Sequence, residues 1–316
     1  MKAADRITSR KACYHFPGLF EFEALYTLFL PLFFKHREYF YDWCDIGSIY
    51  GAPADCLWGG GRTGYGNADA PKLLTMMEEY GISARLTFSN LLLREEHLND
   101  RRCNRLCEAL ARGSFAKVSE SGRKKAENGV IIGSDILAEH IRKNYPELYL
   151  VSSTTKVITD MYLFREELAR EEFRYVVPDF RLNRKMEGLL SLPRHLKDKV
   201  EFLCNEGCWF GCPDRRACYE NVSLKALGED VEDHICKAPG AEEGYVFSRA
   251  MRSPGFIGIR DIQQVYLPGG FSQFKIEGRS LGSALVLEFL LYYMTKPEYQ
   301  LEVREAIYLD ASLDLF

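Results

Sequence analysis

The sequence predicts an α/β protein built as a TIM-type (β/α)8 barrel, with a doubly wound open sheet as the alternative. Three observations predict it. Eight short apolar runs alternate with stretches of helical pattern. The chain has 316 residues, a length at which α/β barrels often form one domain. Polar residues follow most of the apolar runs directly, where a barrel carries its active site.

The eight apolar runs are the predicted strands, and their alternation with helices implies parallel pairing with the helices outside. The seventh unit is the least regular, so we expect an irregular barrel with a cysteine-rich insertion after strand 6. The predicted strands are 45–49, 84–88, 129–132, 148–151, 175–177, 200–203, 255–259 and 273–276. The predicted helices are 70–80, 95–111, 136–144, 163–172, 184–192, 224–227 and 281–294.

These elements divide the chain into three parts. Residues 1–40 are predicted as an N-terminal helical extension, 41–296 as the barrel with its cysteine-rich segment 204–240, and 297–316 as a C-terminal tail. The stretch 16–34 is rich in Leu and Phe, but Glu21, Glu23 and Pro31 interrupt it. A membrane span needs about 20 mostly apolar residues. We therefore interpret this stretch as a buried helix or an oligomer contact, with no membrane partner.

The composition and the first residues of the chain indicate the cellular compartment and the classes of partner to expect. The formal net charge is −4, so no broad basic surface favours nucleic acid as a partner. The polar start of the chain lacks the apolar core and cleavage site of a signal peptide, which favours a cytoplasmic protein. In a reducing compartment, ten cysteines indicate metal ligands and buried thiols rather than disulfides.

Five of those ten cysteines fall within 33 residues, at positions 204, 208, 212, 218 and 236. Several soft sulfur ligands so close together can reach one centre. The spacing C-x3-C-x3-C-x5-C is neither that of radical adenosylmethionine enzymes nor the paired knuckles of a zinc ribbon. Four thiolates can hold an iron–sulfur cluster or complete a tetrahedral zinc site. The alternative is that all five are small buried hydrophobes.

We assign the ligands to Cys208, Cys212, Cys218 and Cys236, and expect Cys204, at a strand end, to face the core. A [4Fe–4S] cluster is the preferred cofactor and zinc the alternative.

A second candidate site follows the last predicted strand. Lys275, Glu277 and Arg279 alternate along that strand and its end, so they share one face. Three charges entering a core need partners, which favours a role beyond packing. Other polar residues after the strands, such as Ser134 and Ser153, are better interpreted as helix caps.

Several segments resemble the peptidase U32 family. They are NEGCWFGCPDR from Asn205 to Arg215, the later Cys236, FIGIRDI from Phe256 to Ile262, and FKIEGR from Phe274 to Arg279. The resemblance is specific over residues 200–279 and loose over 84–179. The FKIEGR segment at the strand end is its sharpest element.

The family name implies a collagenase-type protease. Several members, however, are similar to oxygen-independent hydroxylases of ubiquinone biosynthesis and RNA modification, which carry cysteine-bound [4Fe–4S] clusters. By resemblance, Cys208, Cys212 and Cys236 would be cluster ligands. Cys218 departs from the family pattern, which leaves the fourth ligand open between Cys218 and Cys204. The spacing also differs from that of the hydroxylases, so their substrates do not transfer.

The leading hypothesis is a U32-like iron–sulfur enzyme that carries out a redox or hydroxylation reaction on an unknown substrate, with an electron donor or another protein as partner. Glu277 and Arg279 would bind or polarise the substrate together with Lys275. Arg215 would pair with cluster charge or an anionic substrate, and Asn205 and Asp179 would orient groups by hydrogen bonds. The alternatives are a U32-type peptidase and a non-catalytic barrel stapled by a structural zinc or cluster.

Overall fold

Eight parallel strands form one sheet, as the sequence predicts for a TIM-type barrel. The computed structural model describes residues 10–61, 66, 70–113 and 126–313, with side chains as far as residue 308. The strands are β1 (Ala12–Pro17), β2 (Cys44–Gly51), β3 (Ser83–Phe88), β4 (Gly129–Ile132), β5 (Tyr149–Ser152), β6 (Phe173–Val176), β7 (Glu201–Leu203) and β8 (Gln273–Lys275).

The strand order is β6-β5-β4-β3-β2-β1-β8-β7, so β1 lies between β2 and β8. All named pairs are parallel. The remaining gap between β6 and β7 is bridged by one parallel pair, Val176 with Val200. The Val176 N–H donates to the Lys199 carbonyl at 2.8 Å across the same gap. The sheet therefore closes into a barrel whose weakest seam is β6–β7.

Two strand assignments differ from the sequence prediction. Residues 255–259 do not form a strand; they pass as an irregular segment into a helix that begins at Ile259. The eighth strand is instead Ala12–Pro17, inside the predicted N-terminal extension, and it pairs with β2 and β8. Phe256 and Ile257 belong to the apolar run that predicted a strand. They are buried in the large core, but the segment that carries them has no regular secondary structure. The cysteine-rich insertion consequently follows the seventh strand and not the sixth.

The barrel interior has an apolar and a charged part. Tyr50, Ile131, Val151, Val177 and Leu203 form a small buried cluster, separate from the large core between the sheet and the helices. Arg85 and Glu201 are also buried inside the barrel, with 1% and 0% of their surface exposed. Inward-pointing side chains normally fill a TIM barrel as layers of branched apolar residues. Here part of that filling is a network of charges.

The helices pack around the sheet and bury their apolar faces in the large core. Five of the seven predicted helices agree with observed ones to within three residues at each end. The helix predicted at 95–111 begins only at Arg101, after a 3₁₀ turn at Glu95–Asn99, and the helix predicted at 224–227 begins nine residues earlier, at Arg215. The helices are α1 (Glu23–Lys35), α2 (Pro71–Tyr80), α3 (Arg101–Gly113), α4 (Asp135–Asn144), α5 (Met161–Ala169), α6 (Met186–Leu190), α7 (Arg194–Lys197), α8 (Arg215–Ala226), α9 (Phe247–Ala250), α10 (Ile259–Asp261), α11 (Leu267–Gly269), α12 (Ser283–Met294) and α13 (Gln300–Leu313).

The two ends of the chain are part of the packed structure. Helix α1 buries Leu25, Tyr26, Phe29, Leu30 and Phe33, so the Leu- and Phe-rich stretch contains a buried helix, as predicted. The segment predicted as a C-terminal tail contains α13, which buries Val303 and Ile307 in the large core. Among the described residues, no helix is both long and apolar enough to cross a membrane.

Candidate active site at the barrel mouth

A cavity of about 340 Å³ opens at the carboxyl ends of the strands. Its size falls within the range typical of small-molecule sites. Parallel strands bring their carboxyl ends to one side of a barrel, so residues distant in sequence meet there. The lining includes Tyr50 from β2, Thr87 from β3, Ile131 from β4, Leu203 from β7 and Lys275 from β8, and beyond the strands Ser89, Ser153, Thr155, Glu206, Cys218, Tyr219, Glu277 and Arg279.

Lys275 is the buried amine of this cavity. Its Nζ lies 3.7 Å from the centre of the Tyr50 ring and 3.6 Å from Glu201 Oε1. Tyr50 is itself fixed, because its hydroxyl donates to the Ile276 carbonyl at 2.6 Å. Burial lowers the pKa of Lys275 to about 8, and the nearby Glu201 carboxylate offsets only part of that effect. The amine is thus easier to deprotonate than an exposed lysine.

Glu201 is the centre of the charged network below Lys275. Arg85 Nη1 donates to Glu201 Oε2 at 2.5 Å, and His15 Nε2 lies 3.5 Å from the same oxygen. Burial alone would raise the pKa of Glu201, but Arg85 and the other basic groups around it together outweigh burial, and the pKa falls to about 2. Burial lowers the pKa of His15 to about 3, so that imidazole is neutral. The network is an Arg85–Glu201 ion pair with Lys275 at its edge.

Glu277 is held at the rim of the cavity by backbone contacts. The Gly207 N–H donates to Glu277 Oε1 at 2.7 Å, and the Glu277 N–H donates to Asn205 Oδ1 at 2.8 Å. The absence of a side chain at Gly207 permits this approach, since a Cβ there would lie 2.5 Å from the Tyr245 ring. Asn205 is fully buried and therefore orients Glu277 rather than bordering the cavity.

Glu206 belongs to a second buried ion cluster. Arg215, 1% exposed, donates from Nη2 to Glu206 and places Nε 3.1 Å from Asp179 Oδ2. Asp179 also accepts from Arg181 Nε at 2.6 Å and from the Arg181 N–H at 3.0 Å, which caps a 3₁₀ turn. Asp179 is fully buried and is not among the residues that line the mouth cavity. Its visible role is to position Arg215 and Arg181.

The carboxyl groups of Glu206 and Glu277 have opposite protonation preferences. Burial and the Glu206 carboxylate raise the pKa of Glu277 well above its ordinary value. Burial would also raise the pKa of Glu206, but the Arg215 guanidinium outweighs it and lowers that pKa. Glu277 is therefore the member of the pair that holds a proton near neutral pH.

Arg279 connects the site to the N-terminal part of the chain. Its Nε donates to Glu21 Oε1 at 2.7 Å, and its Nη2 donates to the Ala52 carbonyl at 2.8 Å. The Glu21 side chain is inaccessible to solvent, and that of Arg279 is 10% exposed. Arg279 borders the mouth cavity, but these contacts commit much of its guanidinium to holding the mouth together.

Replacing Glu21 by Ala is expected to lower the free energy of unfolding by about 3 kcal/mol, because it leaves the Arg279 guanidinium buried without its carboxylate. Urea denaturation followed by circular dichroism measures the change. Glu139→Ala, on an exposed position of α4, is the control and should change stability by less than about 0.5 kcal/mol. Equal effects of both variants would show that the Glu21–Arg279 pair does not stabilise the mouth.

The four cysteines predicted as ligands border one cavity beside the mouth. Cys208, Cys212, Cys218 and Cys236 line a space of about 250 Å³, to which Arg215 and His234 also contribute. Cys218 and Tyr219, on α8, line both this cavity and the mouth cavity, so the two spaces adjoin. Cys204, in contrast, is fully buried in the large core, as expected for a residue that faces away from the site.

The donor set of the cysteine cavity fits a soft metal centre in the kind of side chain that it offers. Four thiols and one imidazole border it, and Nη1 of buried Arg215 has no hydrogen-bond partner among the described residues. A guanidinium in that position suits a centre of net negative charge. Within the described ranges, however, no three His, Cys, Asp or Glu side chains converge closely enough to form a metal-binding group. Binding would require the thiols to move together, as expected where metal binding is coupled to folding.

The sequence-predicted site residues thus divide into three groups. Lys275, Glu277 and Arg279 border the mouth cavity, the four cysteines and Arg215 border the adjoining one, and Asn205 and Asp179 support their neighbours from behind. Sequence reasoning assigned no role to Arg85, Glu201 or His15. A charged residue inside an apolar run, such as Arg85 in SARLTF or Glu201 in VEFL, is the pattern that could have revealed them.

The chain was compared with protein-family models, curated proteins and solved structures. No protein-family model matches the chain, and no curated protein matches it. Among solved structures, the chain is similar to that of the U32 peptidase Mk0906, with a TM-score of 0.48 and 13% identity over 85% of this chain and 94% of that chain.

Proposed function

We propose that this protein is a U32-like barrel enzyme that acts on a substrate in the mouth cavity and carries an iron–sulfur cluster in the adjoining cysteine cavity. The observation that carries the proposal is the shared wall of the two cavities, formed by Cys218 and Tyr219. A redox centre and a substrate must be close for electrons to pass between them. The arrangement supports a redox or oxygen-independent hydroxylation reaction.

The residues that would hold the cluster are Cys208, Cys212, Cys218 and Cys236. When bound, such a cluster supplies one-electron transfer, and its potential depends on net charge, hydrogen bonds to sulfur and solvent exposure. Arg215 would compensate negative charge at the edge of the cavity, because it is buried and its Nη1 has no hydrogen-bond partner among the described residues. Asp179 and Glu206 hold that guanidinium in place.

The mouth residues would bind and orient the substrate. Glu277 would hold a proton at the rim, because burial and Glu206 raise its pKa. Lys275 and Arg279 supply donors from the wall of the same cavity. Apolar side chains of Leu203 and Ile131 close its floor and limit the access of water.

Anaerobic purification followed by iron, sulfide and zinc analysis tests this proposal. We expect matching iron and sulfide, and a visible absorption band that bleaches on reduction. Cys208→Ser and Cys212→Ser should each lose most of the iron, since each removes one thiolate ligand. Cys107→Ser, in the buried face of α3 away from the cavity, is the matched control and should keep it.

Two outcomes would contradict the cluster enzyme. Full iron content in both Cys208→Ser and Cys212→Ser would remove these thiols from the ligand set. About one zinc per chain, without iron or sulfide, would favour a structural staple, because four thiolates saturate zinc and leave no position for water. A U32-type peptidase or a non-catalytic barrel would then be the better hypothesis, with the mouth cavity as its remaining candidate site.

A further inference from the structure

Three polar side chains of the mouth cavity lack hydrogen-bond partners among the described residues. They are Lys275 Nζ, Thr87 Oγ1 and Ser89 Oγ, on residues that are 6%, 7% and 3% exposed. All three residues border the same cavity. A buried polar atom without a partner destabilises the folded state, so such atoms are rare outside functional sites. Their concentration here points to a ligand that supplies the missing partners.

Lys275 is more than a counter-ion for Glu201. Arg85 already pairs with that carboxylate at 2.5 Å, whereas the amine of Lys275 lies 3.6 Å from it, beyond hydrogen-bond distance. The Tyr50 ring fixes the amine from the other side at 3.7 Å. The nitrogen is therefore held in a defined position, with no strong hydrogen bond to break before it reacts.

The charges around the cavity favour a neutral ligand. Glu206 and protonated Glu277 both border it, and a carboxylate or phosphate would meet the negative charge of Glu206. Arg279, the other cation of the wall, is engaged by Glu21 and the Ala52 carbonyl. The two hydroxyls of Thr87 and Ser89 can instead donate to, or accept from, hydroxyl groups of a ligand.

We propose that Lys275 is a nucleophile that captures a small neutral aldehyde or ketone carrying hydroxyl groups as an imine, with Thr87 and Ser89 binding those hydroxyls. The amine nitrogen attacks the carbonyl carbon and forms the C–N bond, while the π electron pair moves to oxygen. One N–H proton then passes to that oxygen, and the second leaves with it as water when the C–O bond breaks. The balance of amine and carbonyl against imine and water needs no oxidant or other co-reactant.

The electrostatics agree with this role, because only the neutral amine attacks a carbonyl. Burial lowers the pKa of Lys275 to about 8, so a substantial fraction is neutral near physiological pH. The titratable and charged groups that face the amine are Glu201 from β7, Arg85 from β3, His15 from β1, Tyr50 from β2 and Arg279.

Reductive trapping tests the inference on the full chain. The protein is incubated with glycolaldehyde and cyanoborohydride, and the modified lysine is located by peptide mass mapping. We expect one rapid adduct at Lys275, with a rate that rises with pH to a half-maximum near 8. Lys275→Met should abolish this adduct, and Lys72→Met, on an exposed position of α2, should leave it unchanged.

A second pair of variants tests the binding of the hydroxyl. Thr87→Val and Ser89→Ala should slow trapping of glycolaldehyde by roughly three- to tenfold, the value of one hydrogen bond. They should leave trapping of acetaldehyde, which has no hydroxyl group, unchanged. Circular dichroism of each variant confirms that it is folded.

Adducts spread over exposed lysines, with none preferred at Lys275, would overturn the inference. Trapping at Lys275 at a rate that Thr87→Val and Ser89→Ala leave intact would overturn the binding of the hydroxyl. The inference goes beyond the proposed function and is independent of it, since Cys208→Ser should keep the adduct even where it loses iron.

Discussion

Replacing Glu201 by Ala is expected to lower the free energy of unfolding by about 3–5 kcal/mol. The change leaves Arg85, 1% exposed inside the barrel, without the carboxylate that it contacts at 2.5 Å. Removing one partner of a buried pair strands the other charge in a medium that solvates it poorly. Urea denaturation followed by circular dichroism measures the loss, and Glu147→Ala, on an exposed position, should change stability by less than about 0.5 kcal/mol.

The double variant Arg85→Met with Glu201→Leu measures what the ion pair as a whole contributes to stability, apart from the cost of leaving one of its charges alone. It removes both charges and fills their space with apolar atoms, so much of the lost stability should return. If the double variant is as unstable as Glu201→Ala, the cost comes from lost packing rather than from a stranded charge. A loss below about 1 kcal/mol in Glu201→Ala would show that the network is not a tight ion pair.

Lys275→Met should have the opposite effect to Glu201→Ala. It should raise the free energy of unfolding by about 1–3 kcal/mol at pH 7. Burial lowers the pKa of Lys275 from the ordinary 10.5 to about 8, which means that the folded protein disfavours its ammonium form. Each unit of pKa corresponds to about 1.4 kcal/mol, and losing the contact with Glu201 offsets part of the gain. Glu201 keeps its ion pair with Arg85 in this variant. Urea denaturation compares it with Lys72→Met, which should leave stability unchanged.

The pH dependence gives this prediction a second readout. Below about pH 8, Lys275 is charged in both the folded and unfolded chain, and the folded state carries the whole penalty. Between about 8 and 10.5 the folded chain loses the proton while the unfolded chain keeps it. The native protein should therefore gain stability relative to Lys275→Met as the pH rises through this window. A stability difference that stays constant across the window would show that Lys275 is not perturbed by burial.

The contrast between these variants indicates what the barrel interior stabilises. The Arg85–Glu201 pair is structural, since each charge satisfies the other. Lys275 lies at its edge, poorly paired and next to an open cavity. A residue that lowers stability where it stands is expected at a functional site, because strained or unsatisfied groups concentrate there. We infer that the Arg85–Glu201 ion pair holds the barrel interior in place and that the Lys275 amine, packed beside it, faces the cavity.

Part of the site could be predicted from the sequence alone. Lys275, Glu277 and Arg279 alternate after an apolar run, and all three border the mouth cavity, while the roles assigned to them stay predictions. The cysteine spacing predicted one set of ligands, Cys208, Cys212, Cys218 and Cys236; these four border one cavity, and their binding of a metal stays a prediction. Both patterns involve residues that are close in sequence, and such residues stay close together in the folded chain.

The ion-pair partners could not be predicted in this way. Arg85 and Glu201 are 116 residues apart, and Arg279 and Glu21 are 258 apart. Which charge meets which depends on the strand order and on where the barrel closes, and neither is encoded in a window of the sequence. Sequence reasoning therefore left Arg279 as a candidate for substrate binding, whereas its contacts also tie the N-terminal segment to the mouth.

By itself, the sequence determined the α/β alternation and the close spacing of five cysteines, and it favoured the barrel, because these follow from composition and short-range periodicity. Tertiary structure alone decided that Ala12–Pro17 is a barrel strand and 255–259 is not. A strand is defined by its hydrogen-bonded neighbours, and those of Ala12–Pro17 are β2 and β8, far apart in the chain. The position of the Lys275 amine is also decided by tertiary structure, because only the closed barrel sets its distance of 3.6 Å from Glu201 Oε1.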